Sequence, residues 1–145
     1  MNTSIGMIEK LRKYGFVFPR FDNETQKGMV FWYDNQEWLE GGRFLSDKPS
    51  LPSKVLDNGV WLPSDEHLFM WLEYNSFDYS VFYKDKLFSF IAFDIVLAIT
   101  YKVENQTTLI SALVKIIKKI CQSKKRDYIP VEPEGYRIID EYPEQ

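Results

Sequence analysis

The side chains that most often do chemistry are sparse in this chain, which holds one histidine and one cysteine. His67 could act as a general base only with a nucleophile or carboxylate in reach, and its neighbours Asp65 and Glu66 are typical of a first helical turn. Cys121 follows Ile117 by four residues on an apolar stripe, whereas a reactive thiol needs partial exposure. We therefore predict a surface or half-buried helix position for His67, a core position for Cys121, and no catalytic residue.

The residue inventory argues against a metal site, and it lacks the common sequence signatures of nucleotide-dependent enzymes. One histidine and one cysteine cannot build the usual zinc ligand sets, and the sequence has no D-x-D-x-D-G loop for calcium. Its seven glycines never form the G-x-G-x-x-G or G-x-x-x-x-G-K patterns of phosphate-binding loops. Scattered carboxylates, such as Asp94 and Glu104 near the ends of one predicted strand, could serve an enzyme, but nothing in their pattern selects that activity. We predict no metal, no cofactor and no enzymatic function.

A basic block precedes an acidic tail. Residues 105–126 carry six basic groups and no acid, whereas residues 127–145 carry one base and six acids. Lys115, Lys118 and Lys119 form a basic face that could grip phosphates. Lysines toward the C-terminus of a helix also stabilise that helix, and the acidic tail would compete with nucleic acid for the same face. We therefore expect a solvated or tail-covered face, with nucleic-acid binding as the weaker alternative.

Length and composition are typical of one globular domain. The chain has 145 residues, of which 45% are hydrophobic and 27% are charged, and most domains centre near this length. A lone cysteine excludes an intramolecular disulfide and favours a reducing compartment. The N-terminus has no apolar run of signal-peptide length, and the apolar stretch at 95–99 is far shorter than the ~20 residues that span a bilayer. We expect a soluble cytoplasmic protein with no membrane partner, one domain over residues 1–145, and a partly extended acidic tail at 127–145.

Apolar periodicity predicts both helices and strands. The clearest segment is the last helix, where apolar residues from Leu109 to Cys121 recur at i, i+3, i+4 and i+7 after a cap at Thr107 or Thr108. Strands in adjacent pairs with short connections favour antiparallel pairing. We therefore predict an α+β fold in which helices pack on one antiparallel sheet of about five strands. The other predicted elements are helices at 4–14 and after Ser64, strands at 28–33, 38–45, 77–83, 87–93 and 94–103, tight turns at 34–35 and 84–86, a loop at 46–59 and a short edge strand at 136–139.

Aromatic residues are unusually dense, because 21 of the 24 lie between Tyr14 and Tyr101. Those within apolar patterns, such as Trp71 and Phe90, are predicted to be core. Adjacent strand residues face opposite sides of a sheet, so the remaining aromatics cannot all point inward. Tyrosine and tryptophan are enriched at interface hot spots. We predict a protein-binding surface, and the alternative is that helices cover both faces of the sheet; the predicted contact residues are Trp32, Tyr33, Trp38 and Tyr79.

Residues 59–121 resemble a pattern found in small prophage-encoded bacterial proteins of unknown function. In that pattern a V-W-L-P-[ST] entry begins a helix with an L-x-x-W-L core, aromatic strands follow, and a T-L-x-x-A-L helix closes the unit. The matching pieces here are Val60–Ser64, Leu68–Leu72 and Thr108–Leu113. The resemblance covers less than half of the chain and carries no active site. It implies an accessory protein of a mobile element that acts by binding.

The sequence therefore predicts a non-enzymatic factor that works by contact with another protein or by self-association. Inhibition of a host defence protein or of a toxin would suit its size, acidity and aromatic surface. Two other functions stay open. One is a small-ligand or nucleotide-binding protein whose aromatics stack a base, and the other is nucleic-acid binding through the basic C-terminal helix.

Overall fold

The computed structural model describes residues 2–17, 29–39 and 51–130. Contacts divide the chain into two compact units, of which the first contains described residues 2–17 and 64–130 and the second contains 29–39 and 51–63. The single domain over 1–145 stays a prediction. From residue 131 onward the predicted acidic tail, with its edge strand at 136–139, lies outside the described residues.

The described elements establish an α+β fold. In chain order they are α1 (Ile5–Lys13), β1 (Val30–Tyr33), β2 (Gln36–Leu39), α2 (Ser53–Asn58), β3 (Val60–Trp61), α3 (Asp65–Tyr74), β4 (Phe77–Lys84), β5 (Leu87–Asp94), β6 (Ile99–Gln106) and α4 (Leu109–Ser123).

The second unit contains a small antiparallel sheet in the order β2-β1-β3. Asp34 and Asn35 form the predicted turn between β1 and β2, and both have left-handed backbone angles, with φ of 53° and 57°. Such a two-residue turn matches the twist of a hairpin. Residues 40–50, which include most of the predicted strand at 38–45 and the start of the predicted loop at 46–59, lie outside the described residues. In the described part of that loop the prediction is wrong, because α2 forms there with Val55 and Leu56 buried.

The first unit packs helices against the sheet β4-β5-β6. Asp85 and Lys86, with φ of 53° and 64°, form the predicted tight turn between β4 and β5. The helix α4 confirms the clearest prediction from the sequence. The Thr108 hydroxyl accepts a hydrogen bond from the Ser111 amide at 3.1 Å, and Ile116 and Ile120 of the apolar stripe are fully buried.

The predicted single sheet of about five strands is wrong, because the described strands form two sheets of three. The short strand β3 pairs with β1, where Phe31 lies opposite Trp61. The helix α3 then separates β3 from β4 along the chain. Short connections join only β1 to β2, β4 to β5 and β5 to β6, so local pairing gives two separate groups of strands, and β3 joins the first group through β1.

The predicted strand at 94–103 is confirmed from Ile99 onward, within β6, and is wrong before it. β5 ends at Asp94 and β6 begins at Ile99, so the intervening apolar residues form a turn. The physical reason is the Asp94 carboxylate, which accepts hydrogen bonds from the amides of Val96 and Leu97 at 2.9 and 3.1 Å. Aspartate commonly forms turns by bonding the backbone two or three residues later.

We predict that Gly59→Ala destabilises the second unit by about 1–3 kcal/mol. An added Cβ at this position overlaps the backbone carbonyl of Val55, which belongs to α2 and cannot rotate away. Gly6→Ala is the matched control, because a Cβ there meets no atom within 4 Å and alanine favours the helix. Urea denaturation followed by tryptophan fluorescence measures both. An unchanged Gly59→Ala midpoint contradicts the packing described for α2.

Candidate protein-contact surfaces

Three consecutive aliphatic residues are exposed at the turn between β5 and β6. The exposed fractions are 53% for Ile95, 62% for Val96 and 38% for Leu97. Scattered exposed apolar residues are common on protein surfaces, but contiguous ones mark contact sites. This tip is the first candidate surface.

The backbone beneath the tip is held by Asp94, whose side chain is fully buried. Besides its bonds to the two tip amides, the Asp94 carbonyl accepts a hydrogen bond from the Ala98 amide at 2.8 Å. Ala98 has a left-handed φ of 56°, which is unfavourable for a residue with a Cβ. The tip is therefore a defined turn with some backbone strain.

Arg126 neutralises the buried carboxylate of Asp94. Its Nε lies 2.9 Å from Asp94 Oδ2, and a terminal nitrogen lies 3.2 Å from Oδ1. The guanidinium also lies against two aromatic rings that contact each other, 5.3 Å from the Phe77 centroid and 4.7 Å from the Tyr128 centroid. A planar guanidinium suits both bidentate pairing and stacking. Arg126 thus ties the segment after α4 to the end of β5.

The pKa of Asp94 reflects this balance. Burial alone raises the pKa of the carboxyl, but hydrogen bonds from Arg126 and from the tip amides, together with the charge of Arg126, outweigh burial. The net result is a pKa below the ordinary value for aspartate. Asp94 therefore stays ionised at neutral pH.

Asn75 extends the same network to the neighbouring turn. Its amide nitrogen donates to the Ile129 carbonyl at 2.9 Å, and its Oδ1 accepts from the Ile129 amide at 2.7 Å. Arg126 donates to the Asn75 carbonyl, and the Ile95 amide donates to the Ser76 carbonyl at 3.1 Å. Hence the α3–β4 turn, the tip and the segment after α4 are joined. Their exposed apolar side chains define the apolar end: Tyr74, Ile95, Val96, Leu97 and Ile129.

The predicted hairpin aromatics divide between two faces of their sheet. Phe31 lies opposite Trp38, and Trp32 lies opposite Glu37. Directly opposed residues share a face, so Trp38 and Tyr33 lie on one side and Trp32 on the other. Trp38 Nε1 donates to the Tyr33 carbonyl at 2.8 Å, and the two rings meet edge to face at 6.4 Å. All three side chains are half-buried. They stay predicted contact residues, without forming one continuous surface.

Tyr79 lies on β4 in the first unit, beside an open groove. Its ring packs against Phe69 with centroids 5.1 Å apart, and its hydroxyl donates to Glu73 Oε1 at 3.0 Å. Burial and the Glu73 carboxylate raise the pKa of the Tyr79 phenol. The groove has a volume of about 450 Å³ and brings together three carboxylates and three apolar side chains, namely Asp65, Glu66, Phe69, Met70, Glu73 and Tyr79.

The three lysines of the predicted basic face have different surroundings. Lys118 Nζ lies 5.5 Å from the centroid of the Tyr14 ring. Lys119 Nζ donates to the Lys102 carbonyl at 2.6 Å. Lys115 is exposed on the same side of α4. Two of the three cations therefore make contacts within the unit.

The remaining sequence candidates have structural roles. His67 Nδ1 lies 2.8 Å from Ser64 Oγ and accepts from the Ser64 amide at 3.3 Å, which completes a capping box at the start of α3. Burial lowers the pKa of His67, although Glu66 and Asp65 oppose that effect. Cys121 is buried as predicted, and burial raises the pKa of its thiol to about 12. Asp94 and Glu104 lie on different strands, and Glu104 pairs with Lys102 at 2.8 Å.

The apolar end was missed at the sequence level because an apolar run with a strand-like composition was interpreted as buried. The available signal was Asp94, a single acid that interrupts the alternation of β5 and can bond the following amides. Its partner Arg126 lies 32 residues later. No local pattern marks that pair.

Comparison with protein-family models, with curated proteins and with solved structures finds no match to this chain. Within the described residues, no group of three or more histidine, cysteine or carboxylate side chains is placed to hold a metal ion. None of the helices in the described ranges is long and apolar enough to cross a membrane.

We predict that Asp94→Asn lowers the free energy of unfolding by about 2–4 kcal/mol at neutral pH, because Arg126 loses its buried partner. The pKa of Asp94 is lowered in the folded state. Its contribution is therefore complete above the ordinary aspartate pKa of about 4 and is lost as the pH falls through the folded-state pKa. Urea titrations at several pH values should show the difference between variant and wild type narrowing in acid.

Asp127→Asn is the matched control for this substitution, since Asp127 is an exposed carboxylate next to Arg126 in sequence. Surface substitutions of this kind change stability by about 0.5 kcal/mol or less. Equal effects of the two variants, or a difference that does not depend on pH, would show that the buried pair does not stabilise the tip.

Proposed function

We propose that this chain is a non-enzymatic protein-binding factor and that the apolar end is its main contact surface. The observation that carries the proposal is the exposure of Ile95, Val96 and Leu97 on a turn fixed by a buried ion pair. A rigid turn loses little conformational entropy on binding, so its apolar side chains contribute more of their burial energy to affinity.

A protein partner with an apolar pocket fits this surface better than a membrane does. The chain has a net charge of −3, and an acidic protein is repelled by anionic lipid surfaces. The charges directly beneath the tip, on Asp94 and Arg126, neutralise each other. An apolar contact centre with little net charge resembles the core of a protein interface.

The other sequence-based functions receive less support. The groove beside Tyr79 is lined by three carboxylates, which repel the phosphates of a nucleotide. Phosphate gripping by the basic face would use lysines that already contact Tyr14 and the Lys102 carbonyl. Both points favour contact with a protein over binding of a nucleotide or a nucleic acid.

The proposed biological setting is a prophage or another mobile element, where the factor would inhibit or neutralise a host protein. The support for this setting is the sequence resemblance of residues 59–121 to small prophage-encoded proteins. A small acidic protein suits an inhibitor that acts by occupying a surface of its target.

Site-specific photo-crosslinking tests the contact surface. We expect a photoreactive residue at Val96 to yield discrete crosslinked species in lysate of the source cells, because this side chain is the most exposed of the tip. The matched control carries the photoreactive residue at Lys115, which is exposed on α4. Unlabelled wild-type protein should lower the yield of the crosslinked species formed from position 96, because it competes for the same partner. Unlabelled Val96→Lys should compete at least about tenfold less, which corresponds to a loss of about 1.4 kcal/mol.

The proposal is wrong if Val96 gives no species beyond those from Lys115, or if Val96→Lys competes as well as wild type. If wild-type protein floats with anionic vesicles and Val96→Lys does not, the partner of the apolar end is a lipid surface and the proposed protein partner is wrong. Thermal denaturation of Val96→Lys should match wild type, because the side chain is exposed and makes few contacts to lose.

A further inference from the structure

The strand β4 lies at one edge of the sheet β4-β5-β6. All five residues from Ser80 to Lys84 are exposed, and the exposed fractions of Val81, Phe82 and Tyr83 are 37%, 53% and 63%. An exposed apolar edge strand is a template for pairing with another strand. Within the described part of the chain, no strand other than β5 pairs with β4.

The turn geometry identifies the backbone groups on this edge. A two-residue turn at Asp85 and Lys86 makes the flanking residues, Lys84 and Leu87, a hydrogen-bonded pair. Bonded residues alternate along an antiparallel pair. The amides and carbonyls of Tyr79, Val81 and Tyr83 therefore point away from β5, toward the open edge.

The opposite edge of the same sheet is protected in ways that natural sheets commonly use. Lys119 donates to the Lys102 carbonyl at 2.6 Å, and the pairing of β5 with β6 is irregular between Phe88 and Phe90. β4 pairs with β5 in continuous register along its whole length and contains no proline. Among the described residues, the β6 edge is therefore protected against strand pairing, whereas the β4 edge can accept another strand.

The charges of β4 are complementary to those of a second β4 running the other way. Asp78 and Lys84 lie three residues before and three residues after Val81. If two copies pair antiparallel with Val81 opposite Val81, then Asp78 of each copy lies opposite Lys84 of the other. The same register places Tyr79 opposite Tyr83, and the outward-pointing backbone groups meet as hydrogen-bonded pairs. Opposite charges and aromatic pairs across strands are both stabilising.

The groove beside Tyr79 adds a second complementary feature. Tyr79 forms part of its lining, so a side chain opposite Tyr79 on an added strand would enter next to it. In the register above that side chain is Tyr83 of the second copy, which is the most exposed aromatic of β4. The Tyr83 ring of the second copy can pack against Phe69, and its hydroxyl can donate a hydrogen bond to a carboxylate of the groove.

We propose that two copies of this chain associate through antiparallel pairing of β4 with β4, centred on Val81, to form a continuous six-stranded sheet. The partner is a second copy because the pattern of charge along β4 is complementary to itself. This surface is separate from the apolar end, so the proposal goes beyond the proposed function and fails or holds independently of it.

Molar mass in solution tests the association. Light scattering or sedimentation equilibrium should give twice the monomer mass of 17.2 kDa, with a shift to monomer on dilution. Lys84→Glu places like charges opposite each other twice in the dimer and should raise the dissociation constant about tenfold or more. The double variant Asp78→Lys/Lys84→Glu restores both opposite-charge pairs and should restore the dimer. Lys86→Glu makes the same change in net charge, but in this register residue 86 lies opposite the uncharged Ser76 of the second copy. This control should therefore leave the molar mass at the dimer value.

Disulfide trapping tests the register itself. Ser80 and Phe82 are opposed in a non-hydrogen-bonded pair, where Cα atoms are about 4.5 Å apart, and this distance permits a disulfide. Ser80→Cys/Phe82→Cys should therefore form a covalent dimer on mild oxidation, whereas each single variant should not. The native Cys121 thiol is buried, so it is not expected to form a disulfide between copies under these conditions. Three results would overturn the proposal: a monomeric wild type, a dimer that persists in Lys84→Glu, or crosslinking by the single variants equal to that of the double variant. Val96→Lys should leave the molar mass of the dimer unchanged, because the tip is not part of this interface.

Discussion

The buried pair of Asp94 and Arg126 is the interaction on which the first unit depends. A carboxylate with no exposed surface would be costly alone, and it is stabilised here by a bidentate guanidinium and two backbone amides. Because Arg126 follows α4 and Asp94 ends β5, one ion pair fixes the segment after the last helix to the sheet. The same carboxylate sets the turn that exposes the tip. Stability and the candidate contact surface therefore share one group.

The aromatic density of the sequence is explained in part by the surroundings of this pair. Trp71 is buried and packs against Phe16, Phe77 and Tyr128, with ring centroids 5.4 to 6.1 Å apart. Two of those rings, Phe77 and Tyr128, also cover Arg126. The Asp94 carboxylate of this pair has no exposed surface, and the low dielectric of a buried site strengthens its electrostatic attraction to Arg126. Four aromatic residues of the first unit thus form a cluster beside one charge pair.

Local signals predicted what depends on local physics. The helix α4, its Thr108 cap and the turns at Asp34-Asn35 and Asp85-Lys86 follow from periodicity and turn chemistry, and all are present. The number of strands per sheet was not predictable, because β3 pairs with β1 between residues distant in sequence, with Phe31 opposite Trp61, and no local pattern marks that pairing. Residues 95–97 were assigned to a strand because composition does not separate a buried apolar run from an exposed apolar turn. That distinction comes from Asp94 and from Arg126, which is distant in sequence.

Pairing of β4 with β4 would change what the apolar end can do. Phe77 lies opposite Asp94, so the tip extends from the end of the sheet where β4 begins. In an antiparallel pair of β4 strands, the start of one lies beside the end of the other, and the two apolar ends would occupy opposite ends of the six-stranded sheet. Such a dimer presents two copies of the contact surface facing apart. A partner with two copies of its own site would then bind far more tightly than one site permits, because the second contact forms at high effective concentration.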